Sequence, residues 1–242
     1  VCRNEGMSSR TTSPYKNHRF PPEIIAHAVW LYHRFSLSFG EVEELLAERG
    51  VTLSYEAVRL WCLKFGSTFA RKLRHRRSRP DDTWHLDELF IRIRGKRYYL
   101  WRAIDRDGQE LDILAQKLRN TGAAKWFFRK LLKGLRFVPN RRVTDKLRSY
   151  SAAHRIILPT VHHCTNQYAN NRAEGSHQPT RQRERHMRRF KALPHVQQFL
   201  LVHSQSTNSS GSAATLMRAA HYAEFRNQAF TIWRDVTTGL AM

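Results

Sequence analysis

Acidic residues are scarce in this chain: 20 Asp and Glu stand against 42 Lys and Arg in 242 residues, a formal charge of +22. A surplus of that size excludes an acidic scaffold and points to a polyanionic partner, nucleic acid or a membrane surface. Long hydrophobic runs are also missing. The longest stretch free of Lys, Arg, Asp and Glu, from about Ala192 to Met217, is diluted by His, Gln, Ser and Asn, so no segment is apolar enough to span a bilayer. Cysteine is limited to Cys2, Cys62 and Cys164, widely spaced and odd in number, which gives neither a disulfide framework nor paired zinc ligands and suits a reducing compartment. Residues 1–15 have no apolar run and do not read as a secretory leader, so a cytoplasmic location is expected. Glycine-rich phosphate loops are absent from every strand-to-helix junction, leaving a dinucleotide or ATP cofactor without support.

The positive charge is unevenly distributed. Residues 1–66 carry eight basic and seven acidic residues, whereas residues 67–80 carry six basic residues and no acid. Between Phe20 and Phe65 apolar residues recur at helical spacing in three groups. Pro21 and Pro22 suit a first turn, Ser38 and Glu41 form a capping-box pair, Gly50 stops the second helix, and Ser54 caps a third that runs to Gly66. This layout matches a helix-turn-helix over residues 20–66, following a flexible stretch at 1–19, with Ser54, Tyr55, Arg59 and Lys64 on the helix that enters a major groove. Periodicity does not by itself separate that motif from another three-helix bundle. The run Arg71, Lys72, Arg74, Arg76, Arg77 and Arg79, ending at Pro80, reads as a basic linker, residues 67–80, crossing a phosphate backbone, or else as a solvated helix end.

From Thr83 the pattern changes to alternation and β-forming aromatics: strands over 84–94, 96–105 and 110–117, separated by turns at Gly95 and at Asp107-Gly108. Asp105 and Asp107 are read as turn residues. Thr121 then caps an amphipathic helix that places Trp126, Phe127 and Phe128 inward and ends at Gly134. A strand at 141–144, a helix at 149–157, a strand at 161–164 and a basic helical segment complete an α/β arrangement with a mixed sheet over residues 81–200. Residues 201–242 form a C-terminal helical segment in which 204–215, rich in Ser, Asn and Gly, breaks the pattern.

Three acids stand at chemically suggestive places. Asp87 lies inside the first strand, where a charge needs a cation or a partner. Asp145 sits at the C-terminal end of the fourth strand, the edge of an α/β sheet where ligands collect. Glu174 follows Asn171 at the third position of a helix start. If the first and fourth strands lie side by side and parallel, Asp87 and Asp145 come within reach of a shared metal, and Glu174 can join from the adjoining helix. Carboxylates are ligands that Mg²⁺ and Mn²⁺ prefer. Taken singly, Asp145 also reads as a turn acid and Glu174 as a capping partner.

The segments Trp84-His85-Leu86-Asp87-Glu88, Lys96 to Asp105, Thr144-Asp145-Lys146 and Asn170-Asn171-Arg172-Ala173-Glu174, in that order behind a helix-turn-helix, resemble the insertion-sequence-six family of bacterial DDE transposases. The resemblance runs from about Phe20 to Lys191. It implies a ribonuclease-H-like core preceded by an all-α helix-turn-helix domain, with Asp87, Asp145 and Glu174 as metal-binding triad and Mg²⁺ or Mn²⁺, two ions, as cofactor. The basic residue such families place after the glutamate is matched by Arg181, seven positions on and on the same helical face, and Arg185 and Arg188 extend the stripe. Pro179 is expected to kink that helix. The activity implied is cleavage at element ends followed by 3′-hydroxyl strand transfer into target DNA, by at least a dimer, on double-stranded DNA of the nucleoid. A non-catalytic DNA-binding regulator and a purely hydrolytic nuclease of the same fold are the rival readings.

Overall fold

Pro22 opens helix α1 (Pro22–Arg34) in a first turn where a proline sacrifices no hydrogen bond. Helix α2 (Phe39–Ala47) starts at the capping box, with the Glu41 amide donating to Ser38 Oγ at 3.1 Å and the Ser38 amide to Glu41 Oε2 at 2.6 Å. Ser54 Oγ accepts from the Ala57 amide at 3.3 Å, and Glu43 of α2 accepts from the Tyr55 amide at 2.7 Å, fixing the start of α3 (Tyr55–Arg76). The computed structural model describes residues 13–76, 79–145, 147–166, 170, 177–187, 190–208 and 219–238.

Helix α3 departs from the sequence expectation at its far end. Gly66 does not stop it, and the basic run as far as Arg76 is helix rather than connector. The reason is packing. Phe69, Ala70 and Leu73 continue the buried stripe past the glycine. At Gly66 itself a Cβ would lie 3.2 Å from Val202 Cγ2 and 3.7 Å from the His33 ring, so the missing side chain lets neighbouring helices close in.

Strands β1 (Thr83–Ile93), β2 (Lys96–Asp105) and β3 (Glu110–Gln116) form an antiparallel meander. Arg94 and Gly95 both have positive φ, 49° and 79°, which makes the first turn tight. At the second, Asp105 Oδ1 accepts from the Asp107 and Gln109 amides at 3.0 and 2.8 Å, the turn role expected of it. Helix α4 (Thr121–Leu135) follows, capped by Asn120 rather than Thr121: Asn120 Oδ1 accepts from the Ala123 amide at 2.9 Å. Its inward stripe is Ala124, Phe127, Phe128 and Leu131, while Trp126, expected in the core, is 54% exposed. A 3.6-residue period cannot turn three successive side chains to one side.

Strand β4 (Arg141–Thr144), helix α5 (Arg148–Ile157) and strand β5 (His162–Cys164) complete a five-stranded sheet of order β3-β2-β1-β4-β5, with β4 parallel to both β1 and β5. This is the ribonuclease-H-like mixed sheet. One face, including Trp84, Leu86, Trp101 and Ala103, packs on α4 and α5. The other face carries Leu89, Ile91, Ile93 and Ile113 into a single core shared with α1, α2 and α3; of the later helices, the polar α6 (Gln178–His186) adds no apolar residue to it, whereas α7 (Leu193–Asn208) and α8 (Ala219–Thr238) do.

Two further expectations are corrected here. Pro179 does not kink a helix, because α6 begins at Gln178 and the proline stands in its first turn. Residues 204–208 are helical despite their composition: the hydroxyls of Ser206 and Thr207 donate back to the His203 carbonyl at 2.8 and 2.9 Å. From α6, Arg183 is fully buried and donates to the carbonyls of Tyr32, Phe35 and Leu37 at 2.8, 2.9 and 2.7 Å, tying the C-terminal end of α1 to the sheet domain.

Candidate active site

Strands β1 and β4 stay in parallel register only to the pair Leu86–Thr144. Past that point β1 has no β4 neighbour, and the next residue on each strand is an acid, Asp87 and Asp145. At this opened edge Asp87, Glu88 and Asp145 each offer a carboxylate oxygen, and the three oxygens lie within 4.8 Å of one another. Successive residues on a strand face opposite sides, so Asp87 and Glu88 reach Asp145 from the two faces of the sheet. Such an oxygen-only donor set at such spacing fits a hard divalent cation.

The groups around the acids differ on the two faces. On one, the His177 ring contacts Asp87 Oδ2 at 2.5 Å through Nε2 and Arg102 at 3.1 Å through Nδ1. Arg102 in turn forms a buried ion pair with Glu110 at 2.7 Å. On the other face Arg119, in the turn before α4, donates Nε and Nη2 to Glu88 Oε1 and lies 3.8 Å from Asp145 Oδ2. Burial, and then the neighbouring Asp145 carboxylate, push the Glu88 carboxyl up to about 7 against the pull of Arg119. Tyr150, fully buried beneath the cluster, has its phenol raised further by burial and by the same carboxylates.

The structure therefore brings Asp87 and Asp145 together. Glu174 lies outside the described residues, as do Arg77 and Arg188. Among the described residues, Asn170 Nδ2 donates to the Leu86 carbonyl at 2.9 Å, and His177 contacts Asp87. Arg181 pairs with Glu184 at 3.0 Å and stacks over Phe90 at 5.1 Å, and Arg185 is exposed. On α3, Tyr55 is 57% exposed and Arg59 pairs with Glu56 at 2.6 Å. Ser54 and Lys64 are exposed, Lys64 donating to His18 at 2.7 Å, and Arg71 and Arg76 are exposed with Lys72 half-buried. Arg74 differs from the expectation of an outward phosphate contact. Its guanidinium pairs with the buried Asp112 at 3.1 Å, because the helix face it occupies is turned toward β3 and α4.

Sequence reasoning missed Glu88, Arg119 and His177. Glu88 adjoins Asp87, but strand alternation sends it to the opposite face and hides its convergence with Asp145. Arg119 and His177 carry no motif, and only the assembled sheet edge reveals them.

A family profile described as a DDE domain matches residues 81–210. A transposase for insertion sequence-like element IS431mec from Staphylococcus aureus is 31% identical over 168 residues, covering 67% of this chain and 75% of that protein. The transposase for insertion sequence element IS257 in transposon Tn4003, also from Staphylococcus aureus, is 30% identical over the same coverage of 67% and 75%. Among solved structures, the Mos1 transposase catalytic domain aligns over 73% of this chain and 94% of its own at 13% identity and a TM-score of 0.39. With its matching domain and these relatives, the chain belongs to the insertion-sequence-six family of DDE transposases.

Proposed function

We propose that Asp87, Asp145 and Glu174 form the catalytic carboxylate set of this transposase and hold Mg²⁺ or Mn²⁺, as two ions. The observation that carries this reading is the opened sheet edge, where Asp87 and Asp145 converge and where Asn170 and His177 contact Leu86 and Asp87. When bound, divalent cations activate a water or a 3′-hydroxyl and stabilise the oxygen that departs from a phosphodiester.

The chain's own groups divide the remaining work. His177 fixes the rotamer of Asp87, held in turn by Arg102 and Glu110. Arg181, on the first turns of α6, steadies a phosphate of the scissile strand, and Arg185 and Arg188 continue along the backbone. Ser54, at the cap of α3, and Tyr55, Arg59 and Lys64 on it contact the element end, with Arg71, Lys72 and Arg76 adding phosphate contacts. Holding two ends and a target together requires at least a dimer. The setting is the bacterial cytoplasm, on nucleoid DNA; no described helix is long and apolar enough to cross a membrane.

The decisive experiment offers the protein double-stranded DNA carrying its own element ends with Mg²⁺ or Mn²⁺, beside Asp145→Ala. Nicked and joined products that fall at least a thousandfold in the variant are expected. Nicks without joining would instead mean a hydrolytic nuclease, and end binding without chemistry in both proteins a DNA-binding regulator. Sedimentation on element-end DNA is expected to show at least two protomers, and a monomeric active complex would overturn the dimer.

A further inference from the structure

We propose that a cavity of about 510 Å³, lying between the C-terminal ends of α3 and α4, is a seat for a backbone phosphate of duplex DNA. It rests on the transposase reading above and lies apart from the carboxylate cluster. Arg74, His75, Arg79 and Arg136 line it together with Gly134 and Phe137, and among the described residues no Asp or Glu does.

Each basic group is placed by a separate structural device. Arg79 lies with its guanidinium 4.4 Å from the Phe137 ring centroid, which orients the planar fork while its N–H edges stay available for a bidentate contact. Arg136 ends α4 at φ 54°, a left-handed conformation that glycine would adopt more easily, yet the position carries a guanidinium. Arg74 crosses α4 where Gly134 has no side chain, since a Cβ there would collide with its Nη2. Arg74 shares the Asp112 carboxylate with Lys130, whereas Arg79 and Arg136 have no acidic partner among the described residues. Two uncompensated guanidiniums converging on an open cavity without a carboxylate select a phosphodiester.

The position suits DNA that also reaches the carboxylates. Pro80 lines the cavity just before β1, and Asp87 lies four residues beyond Thr83 on that strand, roughly 13 Å at 3.3 Å per residue. A duplex rises about 3.4 Å per base pair, so the seated phosphate lies roughly four or more nucleotides from the one under attack.

The test measures affinity against salt for a duplex bearing the element end and for an unrelated duplex, comparing the unaltered protein with Arg79→Gln combined with Arg136→Gly. Glycine relieves the left-handed backbone at 136, so a binding loss there does not stem from misfolding; circular dichroism checks this directly. Expected is a loss of about eightfold per phosphate contact at 0.1 M salt, equal on both duplexes, with a shallower salt dependence. A methylphosphonate scan is expected to show one neutralised phosphate, about four or more nucleotides from the cut, that weakens the unaltered protein and leaves the double variant indifferent. If the unaltered protein binds DNA and the double variant matches it in affinity and salt slope, the seat is disproved while the transposase reading stands. If inorganic phosphate at millimolar levels abolishes the difference between the proteins without displacing DNA, the cavity is a free-anion site and the DNA assignment falls. Failure of the unaltered protein to bind either duplex overturns both readings.

Discussion

Arg119 lies in the field of two carboxylates, donating twice to Glu88 and standing 3.8 Å from Asp145. A divalent cation drawn to the same oxygens must compete with this guanidinium, because both need the lone pairs of Glu88 and Asp145. Arg119→Gln is therefore expected to tighten Mn²⁺ binding severalfold in titration calorimetry, and equal or weaker affinity would argue that Arg119 organises the acids instead. Arg183 poses the opposite case, a buried cation that satisfies three carbonyls at once. Arg183→Met leaves those acceptors without their donor, and a loss of about 3 kcal/mol in urea unfolding is expected. A loss below 1 kcal/mol would show that water replaces the guanidinium there.

At the scale of elements, the junction of α1 with α7 contains two buried imidazoles. His33 Nδ1 is bonded to the Val29 carbonyl, and His203 Nδ1 to the His33 carbonyl at 2.7 Å. Burial holds His33 down to about 3 and His203 to about 4, with Arg183 adding to both, His195 to His33, and Arg102 and Arg34 to His203. Both folded values lie below the unfolded value of 6.5, so the stability they confer is present above about pH 6.5 and is lost as pH falls toward 4. The melting temperature is expected to be level above pH 6.5 and to drop steeply below it. His203→Gln should flatten part of that drop, on the order of 3 kcal/mol by pH 4. A profile unchanged by the substitution would place the acid sensitivity elsewhere. The long α3 follows similar packing logic: Gly66 and the stripe through Leu73 make one helix of what composition divides into helix and basic connector.

Across the whole molecule, the helices before the sheet and those after it close over one sheet face as a single hydrophobic core. Removing residues 13–76 would expose Leu89, Ile91, Ile93 and Ile113 together, so the sheet domain and the N-terminal helices should melt as one unit. Calorimetry is expected to give a single transition with equal calorimetric and van't Hoff enthalpies, and two resolved transitions would refute the shared core.

The sequence by itself determined the strand order in the chain, the capped starts of α2 and α3, the turn at Asp105 and the prominence of Asp87 and Asp145, because these rest on local periodicity, turn chemistry and the rarity of an acid inside a strand. It also carried the family resemblance. Tertiary structure alone decided the rest. Whether Gly66 ends a helix depends on Val202 approaching it, and Arg74 turns inward because Asp112 waits on β3. The convergence of Glu88, Arg119 and His177 on the acids depends on where β4 stops beside β1. Contacts between residues 90 apart, such as His177 with Asp87, leave no periodic trace in the chain, since only the parallel pairing of distant strands creates the edge at which they meet.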